Sequence, residues 1–568
     1  MLPRRPTRIP RRPASSRALG RHAFSLSPFG PIRGRGTRSL SATSGSASVR
    51  PFGRALVHAP TGGEASTFDR RAIDQMGVPQ TTLMENAGRA AAQVLDRLFP
   101  EGSVVAVVGA GNNGGDGLVM LRTLASWGRA VSAVIVADRV DEALLHGWDI
   151  PMTQGSSFGR DADWDGALAR GAVLVDAILG TGIRGAPREL QAQAIRALNR
   201  AGRPVMAMDL PSGTDAETGA VEGEAVRADV TVAFGWPKLG TLFQPARSHA
   251  GRLVAVEISF PPTTLGTFGA SLATPAWASE HRPRRAHDAH KNAVGSLLLV
   301  AGRSGMAGAA VMAARAALRT GVGVLRVASP PENREVIQGA VPEAIYVDAT
   351  DPEALRDALG KCTAVAAGPG IGTDQAAAEM LAGLLNADSK TPLLLDADAL
   401  TLAGAGAIPP LAELADGRPV LITPHAGEMS RVAESTVEQI AEGRAEVARR
   451  AAKSLGVTVL LKGLPSVVAS PDGSLIVDTV GTSDLATGGM GDVLAGVAGA
   501  FLAQGVDPAV AGALGLVTSG RAAVRAAKGA SLLPEDVIKG LPHAMMEDGE
   551  GVTDLDLPFV VYDQEPSR

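Results

Sequence analysis

The sequence predicts an α/β protein of two different domains, each built on a buried, parallel sheet. Three observations carry that expectation. The chain has 568 residues, too many for one ordinary core. Two series of short apolar runs alternate with Ala-, Leu- and Arg-rich helical stretches, and runs this short and this apolar are strands covered on both faces. The two series share no repeated motif and are separated by residues 261–275, rich in Pro, Thr and Gly and without periodicity.

In the first series the expected strands are 104–108, 131–136, 173–176, 205–209, 230–234 and 253–258. In the second they are 297–301, 322–328, 364–367, 393–396, 420–423 and 457–461. A hairpin of 466–470 and 474–478 follows around Pro471-Asp472-Gly473, and the last clear element is a helix starting near Asp492. The expected organisation is a basic extension over 1–54, a first domain over 55–262, a linker over 263–274 and a second domain over 275–568. Each domain is expected to have its own core.

Composition narrows the class. Gly (68) and Pro (37) make about 18% of the chain, below the level of low complexity, and aromatics are only 3%, which suits close-packed helices on sheets. The single cysteine, Cys362, excludes an intrachain disulfide and a Cys-based zinc cluster and fits a reducing compartment. No apolar run reaches the roughly 20 residues of a membrane helix. The expectation is a soluble cytoplasmic protein without membrane contact. Residues 1–54 hold twelve Arg and no Lys, Asp or Glu, which leaves 42 basic against 58 acidic side chains in the remainder. An acidic body argues against nucleic acid as a partner. The head resembles a transit peptide in composition, but its prolines at 3, 6, 10 and 13 spoil an amphipathic targeting helix, so a disordered, dispensable extension is expected.

In the first domain the run 104–108 enters Gly109-Ala110-Gly111-Asn112-Asn113-Gly114-Gly115-Asp116-Gly117 and then a helix. Glycines at a strand mouth let backbone amides approach an anionic ligand at the helix N-terminus. Gly109, Gly111 and Gly114 satisfy G-x-G-x-x-G, and Asp138 would be the ribose-binding acid of an NAD-dependent dehydrogenase. Asn112, Asn113 and Asp116 argue against that reading, because a dinucleotide loop has no use for a carboxylate facing pyrophosphate. Two further strands end in Asp176, before Gly180-Thr181-Gly182-Ile183-Arg184-Gly185, and in Asp209-Leu210-Pro211-Ser212-Gly213. Carboxyl ends of parallel strands face one crevice, so Asn113, Asp176, Asp209 and Ser212 can converge there. Such oxygen donors hold a large monovalent cation or a sugar, and a spare carboxylate does proton transfer. The competing reading is that Asp176 and Asp209 simply cap the helices that follow.

These motifs occur in order with Leu83-Met84-Glu85-Asn86-Ala87-Gly88 and Pro237-Lys238-Leu239-Gly240, and together they resemble the NAD(P)HX epimerase family over roughly 55–260. The resemblance implies a Rossmann-like three-layer α/β/α domain acting on nicotinamide nucleotide hydrated at the reduced ring. It implies that Asn112, Asn113, Gly114, Gly115 and Asp116, with Gly180, Thr181, Gly182, Ile183, Arg184, Gly185, Ala186 and Pro187, line the nucleotide site. It further implies that Asn113, Asp176 and Ser212 bind K+, and that Asp209 contacts the hydrated ring and handles its proton.

In the second domain the strongest segment is Ala486-Thr487-Gly488-Gly489-Met490-Gly491-Asp492 leading into a helix. Its first turn presents free amides to a phosphate. Asp492 is positioned to take a proton from a substrate hydroxyl as it attacks a phosphoryl group, or else is a plain helix cap. Gly302-Arg303-Ser304-Gly305-Met306, Gly368-Pro369-Gly370-Ile371-Gly372, Leu395-Asp396-Ala397-Asp398, Thr423-Pro424-His425-Ala426-Gly427-Glu428 and Leu461-Lys462-Gly463 end other strands. His425 has no second His or Cys at ligand spacing, so contact with a substrate ring is expected rather than metal.

Residues 275–545 resemble the NAD(P)HX dehydratase family, which implies a ribokinase-like α/β fold. His290-Lys291 through Arg319-Thr320-Gly321 matches the opening of that family, with Asn292 for its usual Gly and Met490 for the Thr of its Gly-Thr-Gly-Asp loop. The resemblance implies that Lys462, Gly463, Leu464, Pro465, Ser466 and Gly491 bind adenine nucleotide, and that Ala309, Gly372, His425 and Asp492 face the hydrate. The whole then implies epimerisation of R- and S-NADHX and NADPHX and dehydration of the S form with ADP and Mg2+, giving AMP and phosphate. A homo-oligomer is expected. The runner-up is a small-molecule kinase fused to a Rossmann-like binding module.

Overall fold

Val104-Val105-Ala106-Val107-Val108 is wholly buried, and its alternate side chains enter two different apolar clusters, so helices cover both faces of its sheet. A computed structural model describes residues 56–182, 184–261, 269–387, 390–546, 555 and 557–565. The basic head 1–54, Ile183 and residues 262–268 lie outside the described residues.

In chain order the strands are β1 (Val104–Val108), β2 (Val131–Ile135), β3 (Met152–Gln154), β4 (Val173–Ala177), β5 (Val205–Met208), β6 (Val230–Phe234), β7 (Arg252–Val256), β8 (Ala270–Ala273), β9 (Ser296–Val300), β10 (Val324–Ser329), β11 (Ile345–Asp348), β12 (Ala364–Ala367), β13 (Leu393–Leu395), β14 (Val420–Ile422), β15 (Thr458–Leu461), β16 (Val467–Ala469), β17 (Leu475–Asp478) and β18 (Val560–Gln564). The first sheet has the order β18-β7-β6-β5-β4-β1-β2-β3, parallel except for β18. Its order from β3 through β1 to β6 is that of a dinucleotide-binding fold, with the direction reversing between β1 and β4. Leu95 and Leu121, on helices Gln80–Leu98 and Asn112–Ser126, cover one face; Trp164 and Ile195, on helices Asp161–Leu168 and Glu189–Arg200, cover the other.

The second sheet runs β11-β10-β9-β12-β13-β14-β15-β16-β17-β8 and reverses between β9 and β12. It is parallel except where β15, β16 and β17 pair antiparallel, the expected hairpin. Leu297, Leu299 and Ala366 pack under helices Ala307–Arg319 and Met490–Ala503, while Leu298, Val300 and Val365 face the opposite side. Both sheets are therefore the middle layers of α/β/α sandwiches.

Four expectations need correction. Residues 270–273 of the expected linker form β8, with buried Ala270 and Leu272 pairing onto β17; four residues between Pro- and Thr-rich neighbours are too short to show a period. Two further helices, Pro508–Ala526 and Pro534–Met546, follow Asp492 and were hidden because the first is small-residue-rich and buried nearly all round. The end of the chain leaves the expected second domain altogether, since β18 pairs antiparallel with β7 of the first sheet. Nor are the cores separate. One apolar cluster contains Phe68, Val104, Val108 and Trp236 together with Leu298, Leu395 and Leu461 of the second sheet. Among the described residues no helix is long and apolar enough to cross a membrane.

Candidate active sites

Where β1 and β4 diverge, their loops open a crevice. A Cβ on Gly114 would lie 2.0 Å from the Gly109 carbonyl oxygen, and one on Gly109 would lie 1.9 Å from that of Ile178. These two glycines thus let three backbone segments close together, whereas Gly111, with nothing within 4 Å, is open. The crevice is a cavity of about 940 Å3. Of the expected residues, Asn112, Asn113, Asp116, Gly180, Thr181, Gly182, Arg184, Ala186 and Asp209 line it. Gly114 and Gly115 are buried within the helix behind, Gly185 borders an adjoining small crevice with Ser212, and Pro187 sits beside Gly223. Asp138 is exposed and off the cavity wall, which removes the ribose-binding acid a dehydrogenase would use.

The three expected cation ligands meet around Leu179. Asn113 Nδ2 donates to the Leu179 carbonyl at 2.9 Å, and Ser212 Oγ accepts from the Leu179 amide at 2.9 Å. Ser212 Oγ donates to Asp176 Oδ1 at 2.6 Å, while the Ser212 and Ile178 amides donate to the same carboxylate at 2.8 and 3.2 Å. Burial raises the Asp176 carboxyl to about 6, against these hydrogen bonds. Among the described residues Asn113 Oδ1 is buried with no hydrogen-bond partner, and the buried Asp176 carboxylate has no ion-pair partner. An orphaned amide oxygen and an unbalanced buried carboxylate around one loop are a donor set that fits a weakly hydrated monovalent cation.

Asp209 follows β5 at φ +65°, a left-handed conformation that a non-glycine residue adopts only when its surroundings hold it there. Its Oδ1 accepts from Lys238 Nζ at 2.5 Å and from the Phe234 amide at 3.2 Å. The ammonium is buried and also donates to the Phe234 and Trp236 carbonyls at 3.2 and 3.1 Å. Asp69 and Lys238 share this cavity. Asp69 was missed because it lies on helix Gly62–Arg70, far in sequence from any glycine loop, and Lys238 was noted only within its motif.

The second site gathers at the carboxyl ends of β13, β14 and β15. Lys462 Nζ lies 2.8 Å from Asp396 Oδ1 and 3.6 Å from Glu428 Oε2. Burial pulls the Lys462 ammonium down, but the two carboxylates outweigh it and hold it above its ordinary value. Thr423 Oγ1 donates to Asp396 at 2.8 Å, and the Gly372 amide donates to Asp398 at 2.9 Å. A Cβ on Gly491 would meet Lys462 Nζ at 3.6 Å and Asp396 at 3.9 Å, so the start of helix Met490–Ala503 abuts this cluster. Asp492, in the first turn, is raised to about 6 by burial and then by the charge of Asp396, with Lys462 opposing and Asp398 adding. Arg303 and Gly302 amides donate to the Gly370 and Pro369 carbonyls, which ties the two loops at the β9/β12 reversal beside Ala309. The Gly463 amide donates to Ser466 Oγ, closing the Leu464–Pro465 turn. His425 differs from expectation in one respect: its Nδ1 accepts from the Gly427 and Glu428 amides and caps helix Ala426–Val432, with the ring half exposed. Asp396, Asp398 and Glu428 were quoted in motifs without a role.

A dinucleotide-type sheet with an acidic crevice, joined to a second doubly wound sheet whose glycine-led helix meets a carboxylate–lysine cluster, defines a two-site α/β enzyme of nucleotide chemistry. Family models agree with that division: residues 297–543 match NAD(P)H-hydrate dehydratase and residues 80–240 match the YjeF-related protein N-terminus. The chain is 35% identical to the bifunctional NAD(P)H-hydrate repair enzyme Nnr of Moorella thermoacetica over 85% of its own length and 96% of that protein. It is 35% identical to the enzyme of the same name from Escherichia coli over 80% of this chain and 87% of that one. The solved ADP/ATP-dependent NAD(P)H-hydrate dehydratase of Bacillus subtilis, co-crystallised with ATP and Mg2+, is similar over 48% of this chain and 96% of its own, at 30% identity and a TM-score of 0.43. The chain belongs to the bifunctional NAD(P)H-hydrate repair enzymes, with an epimerase and a dehydratase domain.

Proposed function

We propose that the first cavity interconverts the R and S hydrates of NADH and NADPH, and that the second site phosphorylates the ring hydroxyl of the S form from ADP and eliminates phosphate. The observation that carries this division of labour is the pair of carboxylates, Asp209 and Asp492, each at a strand-end site and each within reach of a lysine's charge, Lys238 for the first and Lys462 for the second. In the first site the Lys238 pairing orients the Asp209 carboxylate to accept a proton from the hydrate. The amides and side chains of 112–116 and 180–186 hold the nucleotide. Asn113, Asp176 and Ser212 hold K+, which when bound supplies the positive charge that the buried Asp176 lacks.

In the second site Lys462, Gly463, Leu464, Pro465, Ser466 and Gly491 hold ADP, and Ala309, Gly372, His425 and Asp492 face the hydrate. Mg2+ takes one or two carboxylates plus phosphate oxygens; Asp396 and Asp398, whose charges reach Asp492, would hold it, and it would supply charge neutralisation there. Asp492 takes the hydroxyl proton as the oxygen attacks the terminal phosphoryl of ADP, and AMP leaves. Loss of a ring proton and of phosphate then restores the reduced nicotinamide.

The test is NADH absorbance recovered from hydrate with ADP or ATP, alongside chromatographic R-to-S conversion. Asp492→Asn keeps the size of the side chain, so dehydration is expected to fall by roughly 10²–10⁴ with epimerisation intact. Asp209→Asn is expected to do the reverse. A stable phosphorylated product in place of NADH would overturn the repair reading in favour of a kinase.

A further inference from the structure

Inversion at the hydrate carbon needs a proton donor as well as an acceptor, and the Asp209 carboxylate paired with Lys238 cannot be both at once. The cavity offers a second group. Asp69, from helix Gly62–Arg70, lines the same cavity as Asp209 and Lys238, and its carboxyl makes no hydrogen bond or ion pair among the described residues. Lys238 is already committed to Asp209 and to two carbonyl oxygens. Three carboxyl groups, Asp69, Asp116 and Asp209, therefore share one buried ammonium, and like charges in one low-dielectric space do not all ionise together.

Resting on the epimerase reading above, we propose that Asp69 is a second catalytic residue of the first site, the acid that works with Asp209 as base. In one direction the Asp69 carboxylic acid gives its proton to the hydrate hydroxyl as the carbon–oxygen bond breaks, and water departs. The ring nitrogen lone pair meanwhile forms a double bond to that carbon. A water then adds to the opposite face, its proton passing to Asp209 as the new carbon–oxygen bond forms and the electron pair returns to nitrogen. In the reverse direction the two carboxyls exchange roles, so no net proton is consumed.

The electrostatics agree with the geometry. Burial, then opposed by Lys238 and reinforced by Asp209, raises the Asp69 carboxyl to about 6. Asp116, on helix Asn112–Ser126, is raised by burial and then by the charges of Asp209 and Asp69, with Lys238 opposing. Arg70, Asp74, Arg184 and Arg188 stand elsewhere on the cavity wall.

The experiment is kcat/KM for R-to-S conversion, without ADP, from pH 5 to 8. The wild type is expected to lose activity as pH rises above about 6, the limb on which Asp69 gives up its proton. Asp69→Asn is expected to lose roughly 10²–10⁴ in rate and that limb with it, and Asp69→Glu to restore part of both. Dehydration of the S form by the same samples reports folding. A wild-type profile without the descending limb overturns the proposal, whatever the variants do. So does an Asp69→Asn rate within threefold of wild type, or a lowered rate that keeps the limb, which would make Asp69 merely structural. Asp209→Asn run alongside separates the two claims: if it epimerises normally the base assignment itself fails, and if it is inactive while Asp69→Asn is not, only the role of Asp69 falls.

Discussion

Asp492 illustrates how one side chain is tuned by its neighbours. It acts as a base only when ionised, and burial together with the Asp396 charge lifts its carboxyl to about 6. Dehydration is therefore expected to fall as pH drops through about 6, because the protonated carboxyl is too weak a base to take the hydroxyl proton. Asp396→Asn removes a repelling charge and leaves Lys462 less committed, so both changes favour the Asp492 carboxylate and move the limb to lower pH. A pH profile of the variant that stays put, or moves to higher pH, would remove Asp396 from the tuning of this base. At this scale the sequence was informative where a carboxylate ends a strand or opens a helix among glycines, as at Asp176 and Asp209 and at Asp492. It was silent where the carboxylate sits on an ordinary helix, as at Asp69, because helical Asp is far more often solvated. The lysine partners were partly visible: Lys462 ends a buried strand, but nothing local says that Lys238 turns inward onto Asp209.

At the scale of the element, glycines that look alike in sequence do different work. Gly114 has no room for a side chain, since a Cβ would lie 2.0 Å from the Gly109 carbonyl oxygen, whereas Gly111 at the N-cap of the same helix has open space. Gly114→Ala is expected to cost at least the upper end of the roughly 1–3 kcal/mol typical of overpacking, because backbone cannot move aside as a side chain can. Gly111→Ala is expected to cost less than about 1 kcal/mol, with any loss appearing in nucleotide affinity instead. Urea midpoints of the two variants, measured with R-to-S conversion, decide it; equal destabilisation would mean that the close approach is absent. The G-x-G-x-x-G pattern was legible, but which of its glycines serves packing and which serves the ligand was not, because that depends on the Ile178 and Gly109 carbonyls brought in by the fold. Strand positions were legible to within a residue or two wherever the run was β-branched and buried on both faces. β3, β8, β11 and β18 escaped because edge strands of three to five residues lack that signature.

At the scale of the molecule, the chain closes back on its beginning. β18 covers the β7 edge, Arg252 forks onto Asp563 at 2.8 and 2.6 Å with both side chains nearly buried, and Arg247 donates to the Glu565 carbonyl at 2.9 Å. Gln564 reaches the Thr479 carbonyl at 3.0 Å, just past β17 of the second sheet, so one strand touches both halves. Ending the chain after Met546 would strip Arg252 of this carboxylate and expose the unpaired β7 edge. Removing one partner of a buried ion pair costs about 3–5 kcal/mol, and an open edge invites pairing with another chain. The truncated protein is expected to melt well below the full chain and to aggregate on heating. Because one apolar cluster runs through both sheets, calorimetry is expected to record one transition moved as a whole rather than a separate early melting of the first sheet. Asp563→Asn, which keeps the strand and one of the two acceptors for Arg252 but removes the charge and the second acceptor, is expected to lose less and to stay monodisperse. An unchanged midpoint in the truncated chain would reduce β18 to a surface addition, and a split transition would mean that the two sheets fold on separate cores after all.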